Sequence, residues 1–81
     1  MADVSFHETA SGYEIHYSDR LADDHRELVD QSADWLEGEM GALNLGQVDD
    51  RILMADGRLT DELREGLTAW WAERVEGLDF G

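Results

Sequence analysis

His7, His16 and Glu14 are the residues of this sequence whose types and spacing come closest to a chemical site. The segment Val4–Ser18 alternates apolar and polar residues around Ser11-Gly12, which predicts a β-hairpin with a two-residue turn. That register sets His7 opposite His16 on the polar face, with Glu14 diagonal to His7. Two imidazoles and a carboxylate are the minimum for a weak metal site. A solvated polar strand face accounts for the same residues more simply. His25 falls on the apolar stripe of a predicted helix, where a hydrogen-bonded, half-buried imidazole is the ordinary outcome and nothing orients it as a base. Glu8 is the one carboxylate on the apolar hairpin face and the only candidate for a general acid tuned by an apolar pocket. Pairing with Arg74, which also interrupts an apolar stripe, is the plainer reading. Asp49-Asp50 and Asp56-Gly57 do not meet calcium-loop spacing, since Gly57 in the sixth position would put Ile52 in the first. There is no glycine-rich phosphate loop, no Ser-His-Asp order and no His-x-x-x-His pair. No catalytic activity and no cofactor are expected.

The strongest pattern is electrostatic. Asp23, Glu27, Asp30, Asp34 and Glu37 fall at i, i+4, i+7, i+11 and i+14, one stripe on a helix read from residues 19 to 37. Asp61, Glu62, Glu65, Glu73 and Glu76 share the outer face of a second helix in the same way. Like charges at i, i+4 each cost a helix about 0.2–0.5 kcal/mol, and surface helices ordinarily mix in cations to avoid this. Here Arg26 and Arg64 alone flank the stripes. Helix stability therefore did not choose these positions.

The whole chain shares the bias. Of 81 residues, 20 are acidic and 6 basic, all six of them Arg, for a formal net charge of -14. Such a surface repels nucleic acid phosphates and anionic membranes, so neither is expected as a direct ligand. There is no run long enough to span a membrane. No basic region followed by an apolar stretch follows Met1, so no secretory leader is expected, and the reading is cytoplasmic. The absence of Cys removes disulfides and thiolate metal sites. A 42% hydrophobic content with three Trp is nevertheless too apolar for an acidic disordered tail.

These residues need elements to hold them. Ser18 or Asp19 caps the first helix, whose inner face carries Leu21, His25, Leu28, Val29, Ser32, Trp35 and Leu36. Residues 39–46 read as a loop or a ragged helical end, because Gly and Asn favour turns. Arg51–Ala55 fits a third, central strand and Asp56-Gly57 a turn. Thr60 caps the second helix, which is read to about Glu76 with Leu63, Leu67, Trp70, Trp71 and Val75 inside. The expected fold is a single α+β domain over residues 1–81, in the order β-β-α-β-α. A small antiparallel sheet, made of the hairpin and a third short strand, packs against two amphipathic helices. Residues 77–81 are expected to fray.

In size and charge alone the chain resembles small acidic phage and plasmid inhibitors of restriction and CRISPR nucleases. The single-sign stripes predict a non-enzymatic inhibitor whose carboxylate rows mimic phosphates and fill the basic groove of a nucleic-acid-binding protein, and the resemblance agrees with it. Trp71, if exposed, would anchor that partner or a second copy of the chain. The alternative is a structural or regulatory subunit from a halophilic or GC-rich organism, whose acidity serves solubility. Its contact would be hydrophobic, through Trp71, the loop from Met40 to Leu45, or Leu78 and Phe80.

Overall fold

A computed structural model describes residues 2–81. The elements run β1 (Val4–Glu8), β2 (Gly12–Tyr17), α1 (Asp19–Asp24), α2 (Arg26–Gly38), β3 (Leu43–Asp49), β4 (Ile52–Asp56) and α3 (Asp61–Ala72). The four strands form one antiparallel sheet in the order β1-β2-β4-β3, and the helices lie on one side of it. The α+β class is as expected, with one strand more and the first helix divided in two.

The extra strand is β3, which begins inside the stretch 39–46 read as a loop and runs on to Asp49. Its Asn44 sits at φ 51, and its pairing with β4 slips between Leu43 and Gly46 and again between Gln47 and Asp49. Asn and Gly are therefore present for irregularity inside a bulged edge strand, not for a turn outside the sheet. The turn comes later, at Asp50-Arg51, where the Arg51 amide donates to Asp49 Oδ1 at 2.7 Å. The first helix breaks at His25, whose φ -127 and ψ 40 are not helical. Arg26, the first residue of α2, donates through Nη1 to the Asp50 carbonyl at 2.8 Å and ties the break to the β3–β4 turn.

The hairpin register is offset by two residues from the expectation. Glu8 pairs with Tyr13, Phe6 with Ile15 and Val4 with Tyr17. The turn is thus centred on Ala10-Ser11, closed by the Gly12 amide on Thr9 Oγ1 at 3.0 Å. Gly12 has moved out of the turn because β4 needs it. It pairs with Asp56, and a Cβ there would lie 2.0 Å from the Ala55 carbonyl oxygen. An offset of two preserves which side chains share a face, so Val4, Phe6, Tyr13, Ile15 and Tyr17 lie together as alternation predicts, while Ala10, expected with them, falls in the turn.

That face, with Leu53 and Ala55 of β4, meets Leu21, Val29 and Leu36 from α1 and α2 and Leu63, Leu67, Trp70 and Trp71 from α3. Trp35 of α2 packs over Gly66 of α3, where a Cβ would come within 3.0 Å of the indole. Ser18 and Thr60 accept the Leu21 and Leu63 amides as N-caps of α1 and α3. Tyr17 is buried beside Trp71, ring centroids 5.4 Å apart, and its hydroxyl lies 3.0 Å from Ser32 Oγ. Ser32 gives its only proton to the Val29 carbonyl at 2.6 Å, so the phenol is the donor in that pair. Burial pushes the Tyr17 phenol up, with Ser32 and the Trp71 indole partly opposing this. The Trp71 N–H lies near the phenol but makes no well-formed hydrogen bond.

Residues 79–81, in the stretch expected to fray, lie along the start of β1. The Asp79 carbonyl accepts the Asp3 amide at 2.7 Å, Phe80 forms a parallel bridge to Val4, and the Gly81 amide donates to the Val4 carbonyl at 2.9 Å. Asp3 anchors this strap. Its carboxylate accepts the Asp79 amide, the Ser18 hydroxyl and an Arg20 guanidinium N–H. The Asp79 amide first, then Ser18, hold its pKa below the ordinary 3.8, against some opposition from burial.

Two outcomes are expected. Ser32→Ala orphans the buried Tyr17 donor and should cost about 1–3 kcal/mol in urea denaturation. Tyr17→Phe leaves the Ser32 proton satisfied and should cost less. For Asp3, the folded-state pKa is the lower one, so its contribution is full above about pH 4 and is lost as pH falls through the folded value. Amide exchange at Asp79 and Gly81 should accelerate in that acid range, and Asp3→Asn should make it fast at neutral pH.

Candidate acidic partner-binding surface

All ten row carboxylates are exposed: Asp23, Glu27, Asp30, Asp34, Glu37, Asp61, Glu62, Glu65, Glu73 and Glu76. The break at His25 separates Asp23, on α1, from the other four of its stripe. Glu27, Asp30, Asp34 and Glu37 remain in line on α2 over roughly 15 Å at 1.5 Å rise per residue, about 5 Å per charge. The second row is also shorter than expected. Helix α3 ends at Ala72, so Asp61, Glu62 and Glu65 stand on its first turns, Glu73 is its C-cap and Glu76 lies in the turns beyond.

Cations do little to neutralise the rows. Arg26 reaches Asp30 at 3.9 Å and Arg74 reaches Glu73 at 3.8 Å. The shorter ion pairs, Arg20–Asp3 at 3.1 Å and Arg51–Asp19 at 2.7 Å, lie off the rows. Arg64 lies 5.7 Å over the Phe6 ring. No helix has a basic residue in its last turn. Carboxylates instead crowd the C-terminal ends: Asp23 and Asp24 on α1, Glu37 on α2 with Glu39 as its cap, and Glu73 capping α3. Each opposes the helix dipole by about 0.3–1 kcal/mol.

Beside the α2 row, a groove of about 300 Å³ opens toward β3. Asp30, Asp34 and Glu37 line it together with Ala33, Leu45 and Leu53, so the row stands over a partly apolar floor.

Two expected site residues are corrected by burial and contact. Trp71 is 0% exposed, in edge-to-face contact with Trp70 at 5.2 Å, and so is a core residue without a surface for a partner. Arg74 does not pair with Glu8. Its guanidinium stacks 3.9 Å over the Trp70 ring and donates to the Trp70 carbonyl at 2.7 Å, while Glu8 is exposed at the end of β1. An exposed Glu8 has no apolar pocket to make it a general acid.

The candidate metal set is brought together but not as ligands. His7 and His16 rings lie 4.1 Å apart, and Glu14 is opposite His7 rather than diagonal to it. Glu14 Oε1 meets His16 Nε2 at 2.9 Å, and His7 Nε2 meets Ser5 Oγ at 3.1 Å. One ring nitrogen of each histidine and the carboxylate are thus used on neighbours, and among the described residues no three His, Asp or Glu side chains converge on a point that could hold a metal ion. Leu43 falls in the loop from Met40 to Leu45 offered as an apolar contact, but sequence reasoning missed Val48 and Met54; the three are 60%, 55% and 41% exposed on β3 and β4. The signal was there for Met54: in Ile52-Leu53-Met54-Ala55 every residue is apolar, so alternation must send two of them outward.

Fold and surface together define a small α+β protein with an acidic helical side. No protein-family model, curated protein or solved structure matches the chain. Among the described residues no helix is long and apolar enough to cross a membrane.

The rows have a thermodynamic consequence. Asp34 lies between Asp30 and Glu37 with no ion-pair partner among the described residues, so Asp34→Asn should raise stability by about 0.5 kcal/mol at low salt. The gain should vanish near 1 M salt, where the Debye length is about 3 Å. Thermal melts of both proteins across a salt series measure it.

Proposed function

We propose that the protein is a non-enzymatic inhibitor whose acidic helices stand in for nucleic acid phosphates and block the basic groove of a DNA- or RNA-binding protein. The observation that carries this is the α2 row: Glu27, Asp30, Asp34 and Glu37 in line, exposed, and among the described residues met only by Arg26. A charge about every 5 Å is of the same order as the phosphate spacing of one strand, about 3.4 Å along a duplex axis. The row's position is costly for the helix, which favours a role outside the helix. Asp61, Glu62 and Glu65 on α3 supply a second row, and a defence nuclease is the kind of target such a surface fits.

The second reading, a subunit whose acidity serves solubility in a salt-rich or GC-rich cell and whose contact is apolar, has its own support. Lys is absent altogether, and Leu43 and Val48 lie exposed on β3 in place of the expected Trp71 contact.

Salt separates the two, since electrostatic docking weakens steeply as it rises while apolar docking does not. Proteins of the source cell retained at low salt and released by salt should include one whose nucleic acid binding the wild-type protein blocks. Asp30→Lys with Asp34→Lys should abolish that block while the circular dichroism spectrum stays unchanged. Equal inhibition by the double variant at low salt would falsify the mimic reading.

A further inference from the structure

Helix α2 and the edge strand β3 do not close on one another. Between them lies the groove of about 300 Å³, walled by Asp30, Asp34 and Glu37 and floored by Ala33, Leu45 and Leu53. The sequence explains the gap. Pairing of β3 with β4 slips on both sides of Gly46 and Gln47. Gly46 itself carries no side chain to fill the space, and a Cβ there would meet nothing within 4 Å. Ala33 and Leu45 are left half-buried at the margin of the core. The volume lies at the lower limit of ligand pockets, about 300–1,000 Å³, and so suits a single side chain better than a cofactor.

The wall is uncompensated in charge. No cationic residue lines the groove, Arg26 reaches Asp30 only at 3.9 Å, and among the described residues neither Asp34 nor Glu37 has an ion-pair partner. Glu37 stands in the last turn of α2, which holds no basic residue, so the negative end of the helix dipole adds to the same field. A cation is the complement, and the geometry selects its kind. Asp30 to Glu37 spans about 10 Å at 1.5 Å rise per residue, too far to surround a point charge. A divalent ion gathers about six oxygens or more, whereas among the described residues no three acids converge on one point. A lysine ammonium is compact and strongly hydrated, and gains little from an apolar floor. A guanidinium is planar and weakly hydrated, so it can lie on that floor while its forked N–H donors reach neighbouring carboxylates. The alkyl stem behind it covers Ala33 and Leu45.

We infer that the α2–β3 groove takes an arginine side chain of the partner protein, its stem on Ala33, Leu45 and Leu53 and its guanidinium against Asp34 and a neighbouring carboxylate of the wall. This rests on the proposed reading that the acidic helices meet a basic partner, and it names the one place on the rows where that partner is held by shape as well as charge. Arginines grip phosphates through the same forked donors, so a groove built for a nucleic acid strand already presents the side chain that fits here. The other row carboxylates, Glu27 among them, act at longer range and steer the approach.

Titration with butylguanidinium, an arginine side chain without its backbone, tests this through amide chemical shifts at low salt and needs no partner. Saturating shifts are expected at Ala33, Asp34, Leu45 and Gly46, with a Kd of about millimolar order for so small a ligand. Ala33→Met fills the floor and keeps every charge, while Asp34→Asn keeps the shape and relieves repulsion, so it folds even if Ala33→Met does not. Each should weaken binding about threefold or more, and Glu27→Gln should leave it as in the wild type. Butylammonium should bind about threefold or more weakly, as should free arginine, whose own carboxylate the wall repels. Shifts spread evenly along both rows overturn the inference. So does equal binding by butylammonium, free arginine or magnesium chloride, or a folded Ala33→Met protein that binds like the wild type. Because the probe is not the partner, failure here leaves the mimic reading to its own inhibition assay, and failure of that assay leaves the selectivity of the groove standing.

Discussion

Self-repulsion is the constraint to which this fold answers. Fourteen excess negative charges on a 9.2 kDa chain oppose any compact state, and a domain this small has a thin core with which to resist them. The molecule responds by segregation. Apolar side chains of the sheet's inner face and of three helices are gathered into one cluster around Trp71, Ile15 and Leu67, and the row carboxylates are carried outward by the helices. Because amphipathic helices bury one stripe and expose the opposite one, the same periodicity that builds the core also lines up the acids. Core and acidic surface are two sides of one pattern.

Polar atoms inside the core are few and locally matched. Ser32 is buried on α2 where its proton reaches the Val29 carbonyl, which leaves its oxygen free for the Tyr17 phenol of β2. That single chain of bonds joins sheet to helix. The arginines are used in the same economical way. Arg74 covers Trp70 and caps the carbonyl of that residue, Arg26 and Arg51 hold the β3–β4 turn, and Arg20 reaches both Asp3 and the Gly77 carbonyl. With most of the cations spent on structure, few remain to temper the rows.

Much of this was legible in the residues. Strand alternation in Val4–Tyr17 identified the inner face despite a register offset of two, because an even offset leaves every side chain on its side. Ser18 and Thr60 announced their helices, since a hydroxyl before an apolar-periodic run has a backbone amide to accept. Three features were not legible, each for a physical reason. Strand β3 is hidden by Asn44 and Gly46, whose backbone freedom signals a turn but here serves bulges. The break at His25 follows no breaker residue in the sequence. Gly12 looked like a turn glycine, and only the approach of β4 reveals that its missing Cβ matters across the sheet. Of the site, the carboxylate positions were readable from spacing. Trp71 was not, because two adjacent tryptophans about 100° apart on a helix can both be buried only when a neighbouring element wraps around them, here Tyr17 on the sheet. The groove beside α2 depended on where β3 lies, which no local pattern states.

The strap formed by residues 79–81 sets how the molecule bears load. It lies parallel to the start of β1, with Asp3 and Val4 bonded to Asp79 and Gly81 bonded back to Val4. Tension entering through Asp3 and leaving through Gly81 therefore pulls two side-by-side parallel segments in opposite directions. Those hydrogen bonds lie across the line of force and are stretched together, as in a lap joint, instead of being peeled one after another. The ends of the described chain thus form a small mechanical clasp, and the Asp3 carboxylate, which grips the strap amide from the side, is its rivet.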